Sequence, residues 1–291
     1  MNSLTLIAGM VLTSPPAVDD VISATRAWHE KRIQRLESED GWLTLVGLAW
    51  LKEGGNTAGS RKGVEVEFPS DGPEVIGTFT RSGRAVTFEP ASGVTVLLGG
   101  APFKGGPLKA DGPGVNPDVL GAGRFRFFVI ARGDRMGVRI KDPDAHARKE
   151  FKGIPMYPAS ASWRIRARWQ PSNPPTTMSV PNVLGEVEEM RSPGTAIFTV
   201  AGKEYRLTPV VEEGTSDLFF VFGDQTNRTE TYGAGRFLYA APPQDGYVVL
   251  DFNRAYNPPC AFSAFATCPL PAKENKLGLP IQAGEKRTGS H

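Results

Sequence analysis

From Val64 to Phe252 apolar residues return at every second position in short runs, and Gly, Pro, Asn or Asp separates one run from the next. That period puts one row of side chains on each face of a pleated strand, which a helix cannot do. The pattern predicts strands at Val64–Phe68, Val75–Thr80, Ala85–Glu89, Val94–Leu98, Arg124–Ala131, Gly137–Lys141 and Trp163–Trp169. It continues at Thr176–Val180, Ala196–Val200, Glu204–Thr208, Leu218–Phe222, Phe237–Ala240 and Tyr247–Phe252. The 33 Gly and 25 Pro are scattered without a repeat, as tight turns between short strands require. Hairpins fit Arg132–Arg135 and the Ala201-Gly202 pair. Almost no helical window interrupts the series, so the expected class is mainly β, an antiparallel barrel-like or sandwich domain with an N-terminal helix.

That helix is expected from Asp19 or Asp20, as cap, to about Leu36, with Val21, Ala24, Trp28 and Arg35, plus Ile22, Thr25 and Leu36, near one face. The charged run His29-Glu30-Lys31-Arg32 reads as a solvated face. Trp42 to Leu51 is an apolar run that periodicity leaves open between a buried strand and a short helix. Gly54 to Ser60 reads as a loop, with no following helix to make it a phosphate loop. No composition break divides the rest. The expected organisation is a tail over 1–17 and one β-rich domain over 18–291, ending in a Pro-rich closing segment.

Leu4 to Leu12 is apolar, but no Lys or Arg precedes it, so a tail on a cytoplasmic protein is favoured over a cleavable export signal. No stretch has the length of a membrane span. A formal charge of +2 gives no case for a nucleic-acid partner. The three histidines, His29, His146 and His291, lack ligand spacing, so no metal site is expected and no motif names a cofactor.

Chemistry-bearing side chains concentrate in two stretches. Asp251, Asn253, Arg254, Asn257, Cys260 and Cys268 follow the last strand, on a loop stiffened by Pro258 and Pro259. Asp224, Thr226, Tyr232 and Arg236 form the second group, where Asp224 and Thr226 also suit an Asx-type turn. Asp251 and Asp224 could act as an acid–base pair, with Arg236 or Arg254 holding an anion and Asn253 and Asn257 orienting it. Cys260 and Cys268 can be buried thiols, a disulfide, or, for Cys260, a nucleophile if a base such as His146 lies near. Arg164, Arg166 and Arg168 share one strand face, and the outward, solvated reading of that face is favoured over an anion-binding wall.

The stretches Thr231-Tyr-Gly-Ala-Gly-Arg236-Phe-Leu, Leu250-Asp-Phe-Asn-Arg-Ala-Tyr-Asn-Pro-Pro-Cys260-Ala-Phe, Cys268-Pro-Leu-Pro-Ala-Lys-Glu-Asn275-Lys-Leu and Ala283-Gly-Glu285 resemble a bacterial family catalogued as domain of unknown function 1684. Gly41 to Leu51 resembles that family's N-terminal signature, and the likeness runs from about Trp28 to Glu285. The resemblance implies no activity. It does point to Asn275 and Glu285 beside Asp224, Thr226, Tyr232, Arg236, Asp251, Asn253, Asn257, Cys260 and Cys268. The leading expectation is a small-molecule enzyme, hydrolytic in type, with a polar pocket formed by 224–236 and 251–285. The alternatives are a non-catalytic module for a small anionic ligand and a purely structural polar plug.

Overall fold

The computed structural model describes residues 18–112 and 114–288, and the expected tail over 1–17 lies outside the described residues. The chain is mainly β with an N-terminal helix, Val18–Glu37. That helix buries Val21, Thr25 and Leu36, whereas Ile22, Ala24 and Arg35 of the expected face are exposed and Trp28 is half-buried, so the buried stripe is narrower than the spacing suggests.

Two sheets enclose the first core. One is six-stranded, in the order Leu45–Trp50, Arg135–Lys141, Phe125–Arg132, Leu120–Ala122, Leu97–Leu98, Ala101–Pro102. The other is five-stranded, in the order Val66–Glu67, Gly54–Gly59, Gly77–Ser82, Ala85–Pro90, Gly106–Pro107. Between them Phe68, Phe79, Phe88, Phe125 and Phe127 pack ring on ring, with neighbouring centroids as close as 4.5 Å for Phe79 and Phe88. The Trp42–Leu51 run is resolved as one 3-10 turn followed by a strand, and Gly54–Gly59 is a strand where a loop was expected. Asn56, wholly buried, replaces the missing side-chain signal there. Its amide clasps the N–H and C=O of Lys52 and so bends the chain from one strand into the next.

A four-stranded sheet, ordered Lys203–Leu207, Val187–Val200, Arg164–Pro181, Tyr247–Asp251, faces a three-stranded one, Val210–Val211, Leu218–Phe222, Arg236–Ala240. Every residue of Leu218–Phe222 is buried, because this strand is covered on both sides. Phe220 and Phe222 point to the core shared with the four-stranded sheet, Phe219 and Val221 to a separate cluster with Cys268 and Ala272. The long strand Arg164–Pro181 absorbs Pro171, Pro174 and Pro175 at a register break between Pro171 and Thr176. Only its first half pairs with Tyr247–Asp251, so its prolines lie along an edge, where a missing N–H costs least. Arg164, Arg166 and Arg168 are exposed, as the outward reading requires; Arg166 lies 3.3 Å over the Tyr247 ring.

After Asp251 the chain makes three short 3-10 turns and then runs extended across the second core. Along this strap Leu277, Leu279, Ile281 and Ala283 are buried while Gly278, Pro280 and Gln282 are exposed. Each buried aliphatic side chain of this size contributes about 1.5–3 kcal/mol. Gly284 (φ +78°) turns the strap under the loop: a Cβ there would lie 2.3 Å from the Ala255 carbonyl oxygen, so no other residue fits.

Candidate functional site

The strand pairing sets the first polar cluster. Phe222 is opposite Arg236, so Asp224, two residues past the strand end, comes alongside the Arg236 side chain. The Arg236 guanidinium donates to Asp224 Oδ2 at 2.8 Å, and both side chains are fully shielded from solvent. It also donates to the carbonyls of Ile281 (2.8 Å), Ala283 and, at 3.5 Å, Glu285. The other Asp224 oxygen, Oδ1, accepts from the Thr226 N–H at 2.8 Å and hydroxyl at 2.6 Å, closing the expected Asx turn, and from the Ile281 N–H at 3.3 Å. A buried ion pair is tolerable when its remaining donors and acceptors are largely satisfied, and here Arg236 Nε is the one nitrogen of the guanidinium buried without a partner. Here most of that satisfaction comes from the strap.

Glu285 continues the network to the other end of the chain. Its carboxylate, wholly buried, accepts from Arg32 Nε at 3.0 Å and from the Asn257 N–H at 2.7 Å. Arg32 also donates to the Asn257 carbonyl at 2.8 Å and lies 4.5 Å over the Tyr256 ring. The run His29 to Arg32 is therefore not uniformly solvated, since one of its members is a tertiary contact. Burial pushes the Glu285 carboxyl above the usual range, against the pull of Arg32. Asn257 Nδ2 donates to the Lys286 carbonyl.

The remaining expected residues are likewise held by backbone. Asn253 takes both the N–H and C=O of Ser160 and donates to Asp251 Oδ1 at 2.9 Å. Asp251 sits between Arg164 (3.8 Å) and Arg254 (3.6 Å). Asn275 accepts from the Thr208 N–H and donates to the carbonyls of Thr208 and Val221, pinning the strap to two strands. The structure thus brings together Asp224, Thr226, Arg236 and Glu285 through the strap, and Asp251, Asn253 and Arg254 in a separate group. Among the described residues no cluster of three His, Cys, Asp or Glu has metal-ligand geometry.

Two of the expected residues, Tyr232 and Cys260, line an open cleft of about 450 Å³. Its walls are Leu48 and Trp50 from the six-stranded sheet, Val183 and Leu184 from a turn, and Ser263 to Ala266 from the loop after Cys260. The loop is docked, not dangling. Ser263 Oγ donates to the Leu45 carbonyl at 3.0 Å, and Thr267 Oγ1 accepts from Arg139 at 2.9 Å and Arg132 at 3.1 Å. Cys260 and Cys268 are free thiols, the first half-buried and the second buried. The Cys260 N–H donates to Cys268 Sγ at 3.2 Å, and the Cys260 thiol donates to the Ala266 carbonyl at 3.6 Å. The adjacent Cys268 sulfur and, more weakly, the charge of Arg139 draw the Cys260 thiol below its ordinary value against the opposing effect of burial, while the neighbouring thiol and burial push Cys268 up. Burial lowers Arg139 itself to about 10, so it remains a cation at neutral pH. His146 lines a different cleft of about 610 Å³, with Phe151 and Phe262, and is not the partner of Cys260.

Sequence reasoning missed Arg32, Arg139 and the cleft walls at Leu48 and Trp50. The Trp50 run was visible as apolar, but nothing local shows which loop it meets.

Residues 149–286 match the family described as "Protein of unknown function (DUF1684)", a range that contains the strap, the Asn-Pro-Pro-Cys loop and both polar clusters. The matched range excludes the first core and the Gly41–Leu51 stretch. A solution NMR structure of an uncharacterized protein from Haloarcula marismortui is similar at 28% identity, over 50% of this chain and 81% of that one, with a TM-score of 0.42. No curated protein matches. No described helix is long and apolar enough to cross a membrane.

Proposed function

We propose that this protein, whose residues 149–286 match the DUF1684 family, binds a small, mainly apolar molecule in the Cys260 cleft, with that thiol as the group that reacts. The observation that carries the reading is the placement of a half-buried free thiol on the wall of a cleft of ligand size. The other lining residues are aliphatic and aromatic except Tyr232 and Ser263, and Ser263 is already bonded to Leu45. Such a lining fits a neutral ligand better than the anion expected from Arg236 and Arg254. Hydrolysis by Asp224 and Asp251 lacks support, because Asp224 has no solvent-reachable surface and each carboxylate belongs to its own network.

A second reading concerns Asp224, Arg236 and Glu285 alone: they form a structural plug that seals the second core under the strap. Their complete burial favours it.

The test is protection from alkylation. Iodoacetamide should modify Cys260 well before Cys268, and a molecule that raises the melting temperature should also slow that modification. Asp251→Asn should leave both effects intact. Equal labelling of the two thiols, or stabilising ligands that leave Cys260 labelling unchanged, would count against the cleft.

A further inference from the structure

We propose that Cys260 and Cys268 are a peroxide-reactive dithiol, in which Cys260 reduces an organic hydroperoxide held in the cleft and Cys268 resolves the product as a disulfide. This rests on the cleft reading above and adds to it a substrate class and a second reacting residue.

The geometry gives the two sulfurs unequal positions. Cys260 meets the cleft, whereas Cys268 is buried behind it among Met178, Val221 and Phe237. Only the first can meet a molecule arriving from solvent. The second is in place to meet what that reaction leaves behind. The Cys260 N–H is 3.2 Å from Cys268 Sγ, so one covalent bond further on, the Cys260 Cα lies within about 4.7 Å of that sulfur. A sulfur that close to the Cys260 Cα is within reach of the Cys260 Sγ by rotation about the Cys260 Cα–Cβ bond. Both residues belong to a loop clamped at Thr267 by Arg132 and Arg139, and Arg132 is itself neutralised by Asp111 at 2.9 Å and 3.0 Å. Arg139 has no carboxylate of its own within salt-bridge distance among the described residues, and its Nε is buried without a partner. Its positive charge, balanced only at longer range by Asp111, acts on both thiols and favours the thiolate that peroxide chemistry needs.

The steps balance with the peroxide as the oxidant. The Cys260 thiolate attacks the terminal peroxide oxygen, an S–O bond forms, the O–O bond breaks, and the alkoxide leaves as the alcohol after taking a proton. The Cys268 sulfur then attacks the sulfenic sulfur; an S–S bond forms, the S–O bond breaks, and water departs with the Cys268 proton. Two thiols lose two electrons, and the hydroperoxide becomes one alcohol and one water. An external dithiol returns the pair to its starting state.

The cleft lining sets the substrate class. Leu48, Trp50, Leu184 and Phe265, beside the polar groups of Tyr232 and Ser263, offer an alkyl or aryl hydroperoxide apolar surface that hydrogen peroxide cannot use. The full-length protein, treated with cumene hydroperoxide, should lose two hydrogen atoms in intact mass, and dithiothreitol should reverse the loss. Cumene hydroperoxide should act about tenfold faster than hydrogen peroxide, the gain from partly burying one aromatic ring. In Cys268→Ser, dimedone should trap a sulfenic acid on Cys260; Cys268→Ala serves if the serine variant does not fold. Ready alkylation of Cys260 without any peroxide-induced disulfide or dimedone adduct would overturn this inference and leave the cleft reading standing. Equal rates with the two peroxides would overturn the substrate class. A Cys260 that neither alkylates nor oxidises would remove both readings.

Discussion

Replacing Arg236 by methionine tests whether a wholly buried charge is structural. The substitution keeps the unbranched stem of the side chain but removes the guanidinium and its charge. Asp224 would then remain buried as a carboxylate with only the Thr226 and Ile281 donors. Removing one partner of a buried ion pair costs about 3–5 kcal/mol. The carbonyls of Ile281, Ala283 and Glu285 lose their donor at the same time. An unsatisfied buried acceptor costs about 1–3 kcal/mol, although the strap can relax and these terms overlap. A loss of at least about 4 kcal/mol follows, a large part of the ~5–15 kcal/mol that stabilises a typical domain. Urea titration followed by tryptophan fluorescence should show it as a lower midpoint, and calorimetry as a melting temperature lower by about 8–16 °C. The double variant Asp224→Leu/Arg236→Met leaves no charge to strand, so it should recover the part of the loss that comes from the stranded carboxylate, though not the part from the unpaired strap carbonyls. An Arg236→Met protein melting within about 1 °C of wild type would refute the reasoning and return Arg236 to the ligand-binding residues.

Burial raises the folded-state pKa of Glu285 above its ordinary value of 4.5, so the folded protein holds this proton more tightly than the unfolded chain does. Its contribution is complete below that value and declines as pH rises through the raised one. Relative to Glu285→Gln, wild type should therefore lose stability from about pH 4.5 upward, read by denaturant midpoints across the range; an advantage growing with pH would contradict it. Asn275→Ala should cost about 2–4 kcal/mol, since it strands the Thr208 and Val221 carbonyls and the Thr208 N–H, and equilibrium unfolding measures it directly.

The strands were legible because Val, Ile and Phe alternate with polar residues on sheets with one wet face. Gly54 to Gly59 escaped because glycine leaves no trace in such a pattern, and the bend that defines the strand is made by one buried asparagine amide. The strap carries the same alternation from Leu277 to Ala283, hidden by Pro280 and by the absence of a ladder partner. At the site, the density of polar residues over 224–236 and 251–285 was real, but a linear chain does not say whether such groups face water or one another. Here Asp224 and Arg236 face each other. The Arg32–Glu285 contact joins residues 253 positions apart and has no local signature at all. Cys260 could be placed among three fates but not against Trp50, whose strand reaches it only through tertiary packing.

The strap has no regular hydrogen-bonded structure of its own, yet it supplies most of the acceptors for a guanidinium at the heart of the second core. Lifting it would expose that cation's partners and the apolar row beneath together, so it cannot fray in the manner of an ordinary terminal segment. The Leu277 and Ile281 amides, bonded to the Gly223 carbonyl and to Asp224, should retain deuterium label as long as the central strand Leu218–Phe222 does. The segment that looks most like a loose end is therefore kinetically part of the interior.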